Sequence, residues 1–299
     1  MKNKLIIAGG NGYIGNILVN YFKDNYHIFI ITRSKSVIKN HINYINWEDN
    51  WQSELENTDV VINLAGKSIN CLFTTKNKIE ILQSRLAATS KINKAISACK
   101  NPPKLIINAS GASIYKPSLS NKYTESNTNY GTGFLAEVCK QWESEFTKTN
   151  TPETRKVIIR ITPVLGKESH AIKPLLKVVA LGLGGKQGSG KQYFSWVHEL
   201  DFAGAISFII KNKDINGIVN LASPNAISNT DFMSTFRKTM RIPIGLPTPT
   251  FLLHLSKYFT KVEPELILDS INIYPKKLTD FGFEFKMNSI EKALKEIVN

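Results

Sequence analysis

The stretch that most constrains this chain lies at its start. Lys4-Leu5-Ile6-Ile7-Ala8 is a short apolar run, and Gly9-Gly10-Asn11-Gly12-Tyr13-Ile14-Gly15 follows it directly. A helical pattern then begins, with Ile14, Ile17, Leu18, Tyr21 and Phe22 on one face. Gly9, Gly12 and Gly15 stand at GxxGxxG spacing, between a strand and a helix, the setting in which such spacing holds a dinucleotide. The chemistry belongs to the backbone. Glycine permits the tight turn and the close approach of a pyrophosphate, and the helix start offers free N–H groups and partial positive charge. Gly15 lets the helix pack closely on the strand. A glycine turn with no ligand is the competing reading.

Strand and helix patterns continue to alternate. Ile28–Thr32, Asp59–Ala65, Lys104–Ala109 and Arg155–Ile161 read as strands. Helical spacing runs over Lys76–Lys100, through Ile79, Leu82, Leu86 and Ile92, and again over Phe134–Thr147. Strands this apolar are buried on both faces, which predicts an α/β fold with a doubly wound parallel sheet of Rossmann type. We expect residues 1–166 to form the nucleotide-binding domain and 167–299 a smaller, mainly substrate-binding lobe. A late strand near 217–222 rejoins the sheet.

Composition narrows the classes. Of 299 residues, 42% are hydrophobic and 21% charged, an ordinary globular mix, and no apolar run approaches the ~20 residues of a membrane span. The first residues run straight into the strand, so no signal peptide is expected. Three scattered cysteines form no CxxC pair and point to a reducing compartment, hence a cytoplasmic protein. Five histidines show no ligand spacing, and no metal is expected. The 38 Lys+Arg against 24 Asp+Glu leave a net charge of +14. Along the chain the lysines are scattered among Asn and Ile rather than clustered with aromatics, so neither nucleic acid nor membrane is an expected partner.

The end of the second strand chooses the nucleotide. An NAD site places an acid there for the ribose hydroxyls. This chain reads Ile31-Thr32-Arg33-Ser34-Lys35, with two bases and no acid. Arg33 offers a two-pronged, charge-assisted grip on a 2′-phosphate, so the expected cofactor is NADP(H). Asn63-Leu64-Ala65-Gly66, ending the third strand, is either a further cofactor contact or a plain strand-to-loop turn. Arg85, beside Leu82 and Leu86, needs an anionic partner, which is either a ligand or Glu80. Gly185–Lys191 fits GxxxxGK, but Gln192 replaces the Ser or Thr that would hold magnesium, so a nucleoside-triphosphate loop is set aside.

GGNGYIG, VINLAG, the Ser84-Arg85 pair, PPKLIINAS, FLAEVCKQWE, VIIRITPVLG, GLGGKQGSGKQYFSWVHELD and PKKLTDFGFEF occur in this order nearly end to end. With them the chain resembles the atypical, extended short-chain dehydrogenase/reductases, in the branch called epimerase family proteins (family 39U). The resemblance implies a Rossmann fold with bound NADP, a C-terminal substrate lobe, and oxidoreductase or epimerase activity. It implies that Thr32, Arg33, Leu64, Ala65, Glu80, Arg85 and Val164 line the cofactor site, beside Gly9, Gly12, Tyr13, Ile14 and Gly15 of the loop.

The proton-transfer pair of that superfamily, YxxxK, is missing. Phe134 and Val138 stand in its place, and the usual serine position falls on Gly111, next to Ser110. Ser110 and Tyr115 are the expected substitutes, with Tyr115 pointing into the cleft just beyond the fourth strand. Tyr130, one helical turn before Phe134, Cys139 and His198 are further titratable groups, of which His198 is read as structural together with Asp201. Two functions stay open. One is an NADP-dependent oxidoreductase or epimerase whose expected partner is a small-molecule substrate, a carbonyl or hydroxyl compound, in a pocket bounded by Gly182–Gly190 and Trp196. The other is a sensor or scaffold that binds NADP(H) without turning it over.

Overall fold

The computed structural model describes residues 2–298. Its spine is an eight-stranded sheet: β1 (Asn3–Ala8), β2 (Tyr26–Thr32), β3 (Val37–Lys39), β4 (Ile42–Asn46), β5 (Val60–Asn63), β6 (Leu105–Gly111), β7 (Arg155–Ile161) and β8 (Gly217–Leu221). Spatial order is β8-β7-β6-β5-β1-β2-β4-β3, and every pairing is parallel except the β3–β4 edge. The order reverses between β1 and β5, and in such sheets a ligand binds at the carboxyl ends beside that reversal.

Five helices flank the sheet or open the lobe: α1 (Tyr13–Phe22), α2 (Thr75–Ala98), α3 (Phe134–Thr147), α4 (Ile172–Ala180) and α5 (Glu199–Lys211). Successive strand residues point to opposite faces, and both faces are apolar here. Leu5, Ile7, Ile62 and Ile107 pack against Leu18 and Phe22 of α1 and Phe202 and Ile206 of α5. Ile6, Val61 and Ile106 pack against Ile92 and Ile96 of α2 and Phe146 of α3. Buried area on both sides at roughly 25 cal/mol per Å² is the main force holding the layers.

Residues after β7 build a second core from excursions of the chain. Ile172, Val179, Trp196, Phe232, Phe236 and Leu294 meet there, contributed by α4, by α6 (Asn229–Thr239) and by the C-terminal helix Ile290–Val298. Two short strand pairs tie this lobe together, Tyr193–Phe194 with Ile227–Ser228 and Val197–His198 with Val164–Leu165. A further helix, α7 (Thr250–Thr260), buries a single residue, Leu253. The GxxxxGK stretch is a loop with Gly188 and Gly190 at positive φ, and a strand rather than a helix follows it. No helix among the described residues is long and apolar enough to cross a membrane.

Candidate functional site

The glycine loop sits on the carboxyl edge of β1, between the ends of β2 and β5. Gly9 has φ +80°, and a Cβ there would lie 2.9 Å from Leu64 O and Ala65 Cα. Gly15, inside α1, faces Gly10 so closely that any side chain would drive into the backbone. Glycine is therefore required at both places by space, and at Gly9 by conformation as well. Gly9→Ala should cost about 1–2 kcal/mol through the strained φ alone. Denaturant unfolding measures that loss, and a neutral result would mean the loop relaxes freely.

Gly12 precedes α1 as its N-cap with no side-chain cap, so the first N–H groups of the helix point outward unclaimed by a side chain. Asn11 Nδ2 donates to Thr32 Oγ1 at 2.8 Å and ties the loop to the end of β2. Thr32 is buried, and its hydroxyl also accepts from the Ser34 amide. Arg33 is exposed, and its guanidinium has no ion-pair partner among the described residues. Asn46 holds the Arg33 and Ser34 carbonyls at 3.2 and 2.9 Å, fixing the turn from which Arg33 projects.

Asn63 organises the end of β5. Its amide donates to Thr89 Oγ1 and Asn108 Oδ1 and accepts from the Ala65 N–H, which shapes the Leu64–Gly66 turn against Gly9. Ile14, in the first turn of α1, is half-buried, as is Leu64. Arg85 is not paired with Glu80, the alternative the sequence left open. Glu80 is taken by Lys67, whose hydrogen bond holds its carboxyl below the usual range. Arg85 donates instead to the Lys67 and Ile81 carbonyls at 2.9 Å, lies over the Trp142 ring and presses on Gly66. Burial lowers its pKa, and no carboxylate pairs with it among the described residues.

The opposite wall comes from the lobe. Val164 pairs with Val197, and Gly166 brings the chain against the Tyr13 hydroxyl. Tyr13 in turn donates to Glu199 at 2.8 Å, and burial raises its pKa. His198, fully buried, caps α5 through Nδ1 and meets Glu296 through Nε2 at 3.0 Å, while Asp201 accepts from the Lys286 and Met287 amides. Both do structural work. Trp196 is also fully buried, so it backs the lobe and does not face a pocket.

Tyr115 corrects an expectation. It does not reach the cleft: it is fully buried, stacked on Tyr123 and bound at its hydroxyl by Arg160, Asn220 and Thr124 O. The reason is Arg160, a charge placed inside strand β7 with no exposure at all. Glu143 of α3 grips it with two hydrogen bonds at 2.9 and 2.8 Å, and Ser110 donates to the same carboxylate at 2.6 Å. Burial alone would lower the guanidinium pKa, but the Glu143 hydrogen bonds and charge hold it above its ordinary value. Ser110 and Tyr115 are thus brought into one buried network. Tyr130, whose hydroxyl accepts from Arg160 at 3.0 Å, is with Glu143 one of its two half-buried members. The network escaped sequence reasoning, although an arginine in the middle of VIIRIT was its signal.

Phe134 and Val138 occupy the usual tyrosine and lysine positions as hydrocarbon. Phe134 packs edge-on to Phe73, with Lys78 Nζ 5.2 Å from its ring, and Val138 is buried. Cys139 lies against Gly111, and burial pushes its thiol up to about 11. Tyr13, Tyr115 and Cys139 all bind their protons more firmly folded than unfolded. The stability they contribute is present at neutral pH and lost as pH rises past the unfolded thiol and phenol values of about 8.5 and 10. Urea midpoints should therefore fall between about pH 8 and about pH 10.5, and Cys139→Ala should flatten the lower part of that fall. No group of three or more His, Cys, Asp or Glu able to hold a metal occurs among the described residues.

Comparison with known proteins agrees with this layout. The model of the NAD dependent epimerase/dehydratase family matches residues 5–222, and a domain of unknown function (DUF1731) matches 248–297. An epimerase family protein of Staphylococcus haemolyticus is 33% identical over 299 residues, 99% of each chain. The crystal structure of human epimerase family protein SDR39U1 (isoform 2) with NADPH superposes with TM-score 0.89 at 27% identity, covering 98% of both chains. A UDP-N-acetylglucosamine 4-epimerase from Methanobrevibacter ruminantium shares the fold, with TM-score 0.75 at 17% identity over 100% of this chain and 98% of that one. A glycine cradle at the sheet reversal, a lobe closing over it and a match across most of the chain lead to one conclusion: the protein belongs to the NAD dependent epimerase/dehydratase family.

Proposed function

We propose that the chain is an NADP(H)-dependent oxidoreductase or epimerase acting on a small carbonyl or hydroxyl compound. The observation that carries this reading is the glycine cradle with the unpaired, exposed Arg33 at the end of β2. The bound NADPH of the human relative supports it. Gly9, Gly12, Tyr13, Ile14 and Gly15 approach the pyrophosphate, the start of α1 supplies N–H groups, and Arg33 grips the 2′-phosphate. Thr32, Leu64, Ala65, Glu80, Arg85 and Val164 frame the rest of the dinucleotide. Arg33→Asp should weaken NADPH binding by about tenfold to a hundredfold and leave NADH binding nearly unchanged. Fluorescence titration measures both, and undiminished NADPH affinity would remove Arg33 from the site.

When bound, NADPH supplies a hydride to a carbonyl carbon, and the carbonyl oxygen then needs one proton. We assign that proton to Tyr130, because its half-buried hydroxyl accepts from the Arg160 guanidinium, whose charge would offset the phenolate left behind. Ser110 and Tyr115, with Glu143, hold Arg160 in place and act by positioning. The sensor reading draws support from Phe134 and Val138, which supply neither hydroxyl nor amine. Incubating the protein and NADPH with a broad panel of carbonyl compounds separates the two. Loss of NADPH absorbance with any member supports the enzyme, whereas saturable binding with constant absorbance across the panel supports the sensor.

A further inference from the structure

The surface of the C-terminal lobe carries an apolar face that none of the described residues covers. Helix α7 is amphipathic in the wrong sense for a solvated helix. Phe251, Leu255, Tyr258 and Phe259 follow helical spacing and share one side, and that side faces solvent, with Phe251 68% and Phe259 84% exposed. The patch extends beyond the helix. The Leu246 amide donates to Gly182 O and the Gly185 amide to Leu246 O, so two loops run side by side and add exposed Leu181, Ile244 and Leu246. Large exposed apolar side chains collected on one helix face and two paired loops of the same lobe mark an interaction surface.

Charge identifies the occupant. Residues 172–198, which include α4 and the first of these loops, hold four basic residues and no acidic one. Residues 232–262, which include the second loop and α7, hold five and none. The two segments are bound together by those backbone bonds and by Arg237, which donates to Gly184 O. Acid flanks the two segments at Glu168, which pairs with Lys173 at 2.5 Å, and at Glu263, which pairs with Lys257 at 3.8 Å, with Glu265 and Asp269 just beyond. Lys177, Lys186, Lys238, Arg241 and Lys261 are exposed, and none of them is in an ion pair among the described residues. Scattered along the sequence, these cations lie on α4, α6, α7 and the two paired loops of one lobe. A second copy of the chain would set this cationic rim against itself. A nucleic acid would meet the positive charge but gain nothing from the phenylalanines.

We propose that this face docks on an anionic phospholipid surface, with the aromatic and leucine side chains of α7 in the headgroup–acyl boundary and the surrounding lysines at the phosphates. This departs from the expectation of no membrane partner, which rested on lysines scattered along the chain.

Flotation of the purified full-length protein tests the proposal, using vesicles of equal parts phosphatidylglycerol and phosphatidylcholine beside vesicles of phosphatidylcholine alone. The protein should float with the anionic vesicles and not the neutral ones, and less of it should float as salt is raised to about 1 M. Phe251→Ser with Phe259→Ser should cut partitioning at least about tenfold, while NADPH affinity, measured on the same sample, stays unchanged. Equal flotation on both vesicles, or none on the anionic ones, overturns the proposal. So does a dimer in gel filtration that the same double substitution dissolves, because the face would then belong to a second copy.

Discussion

Glu143→Leu is expected to lower the free energy of unfolding by about 3–5 kcal/mol, among the largest single-residue losses available in this chain. Arg160 has no exposure, and among the described residues Glu143 is its only carboxylate partner in an ion pair. Removing that carboxylate leaves a buried guanidinium supported only by the hydroxyls of Tyr115 and Tyr130. Ser110 also loses its acceptor. Urea unfolding gives the number. Adding Arg160→Met to Glu143→Leu should recover part of the loss, because the cost lies in the stranded charge more than in the missing pair. A single-variant loss under about 1 kcal/mol would mean that water reaches the guanidinium and the network is not closed.

The second large effect concerns turnover. Tyr130→Phe is expected to lower kcat by about a hundredfold or more, the range that a positioned proton donor contributes. NADPH affinity should hold, since the hydroxyl lies on Arg160 and not in the glycine loop. Tyr115→Phe should instead act on stability, because its hydroxyl is sealed among Arg160, Asn220 and Thr124 O. Steady-state kinetics beside unfolding curves separate the two tyrosines. If Tyr115→Phe abolishes turnover at unchanged stability while Tyr130→Phe does not, the roles given to them are reversed.

How legible the molecule was depends on whether a feature is local. The first strand, glycine loop and first helix are adjacent in sequence, and their chemistry is backbone chemistry, so residues 4–22 announce them. The apolar strands read clearly because both faces are buried. β3 and β4 did not, because Ile42–Asn46 is only half-buried and Asn43 and Asn46 interrupt its apolar pattern. That edge strand still matters, since Asn46 sets the turn beneath Arg33.

The candidate proton-transfer region was legible only as a gap. The absence of YxxxK is visible along the chain, but what surrounds the gap depends on residues far apart. Arg160 and Glu143 are 17 residues apart on different elements, and Tyr115 is 45 from Arg160. Nothing local distinguishes a tyrosine that lines a cleft from one buried against an arginine. Lys67 and Glu80 likewise pair across 13 residues, which left Arg85 without the partner its neighbourhood offered. The +14 charge behaves the same way. Its lysines look evenly spread until α4, α6, α7 and the loops between them fold into one lobe.

Parallel titration of the unmodified protein with NADPH and with NADH tests the central claim most directly. An exposed, unpaired Arg33 at the end of β2, with no acid there, predicts NADPH binding at least about tenfold tighter, the worth of one charge-assisted contact to the 2′-phosphate. Equal affinity for the two cofactors, or tighter binding of NADH, would contradict it.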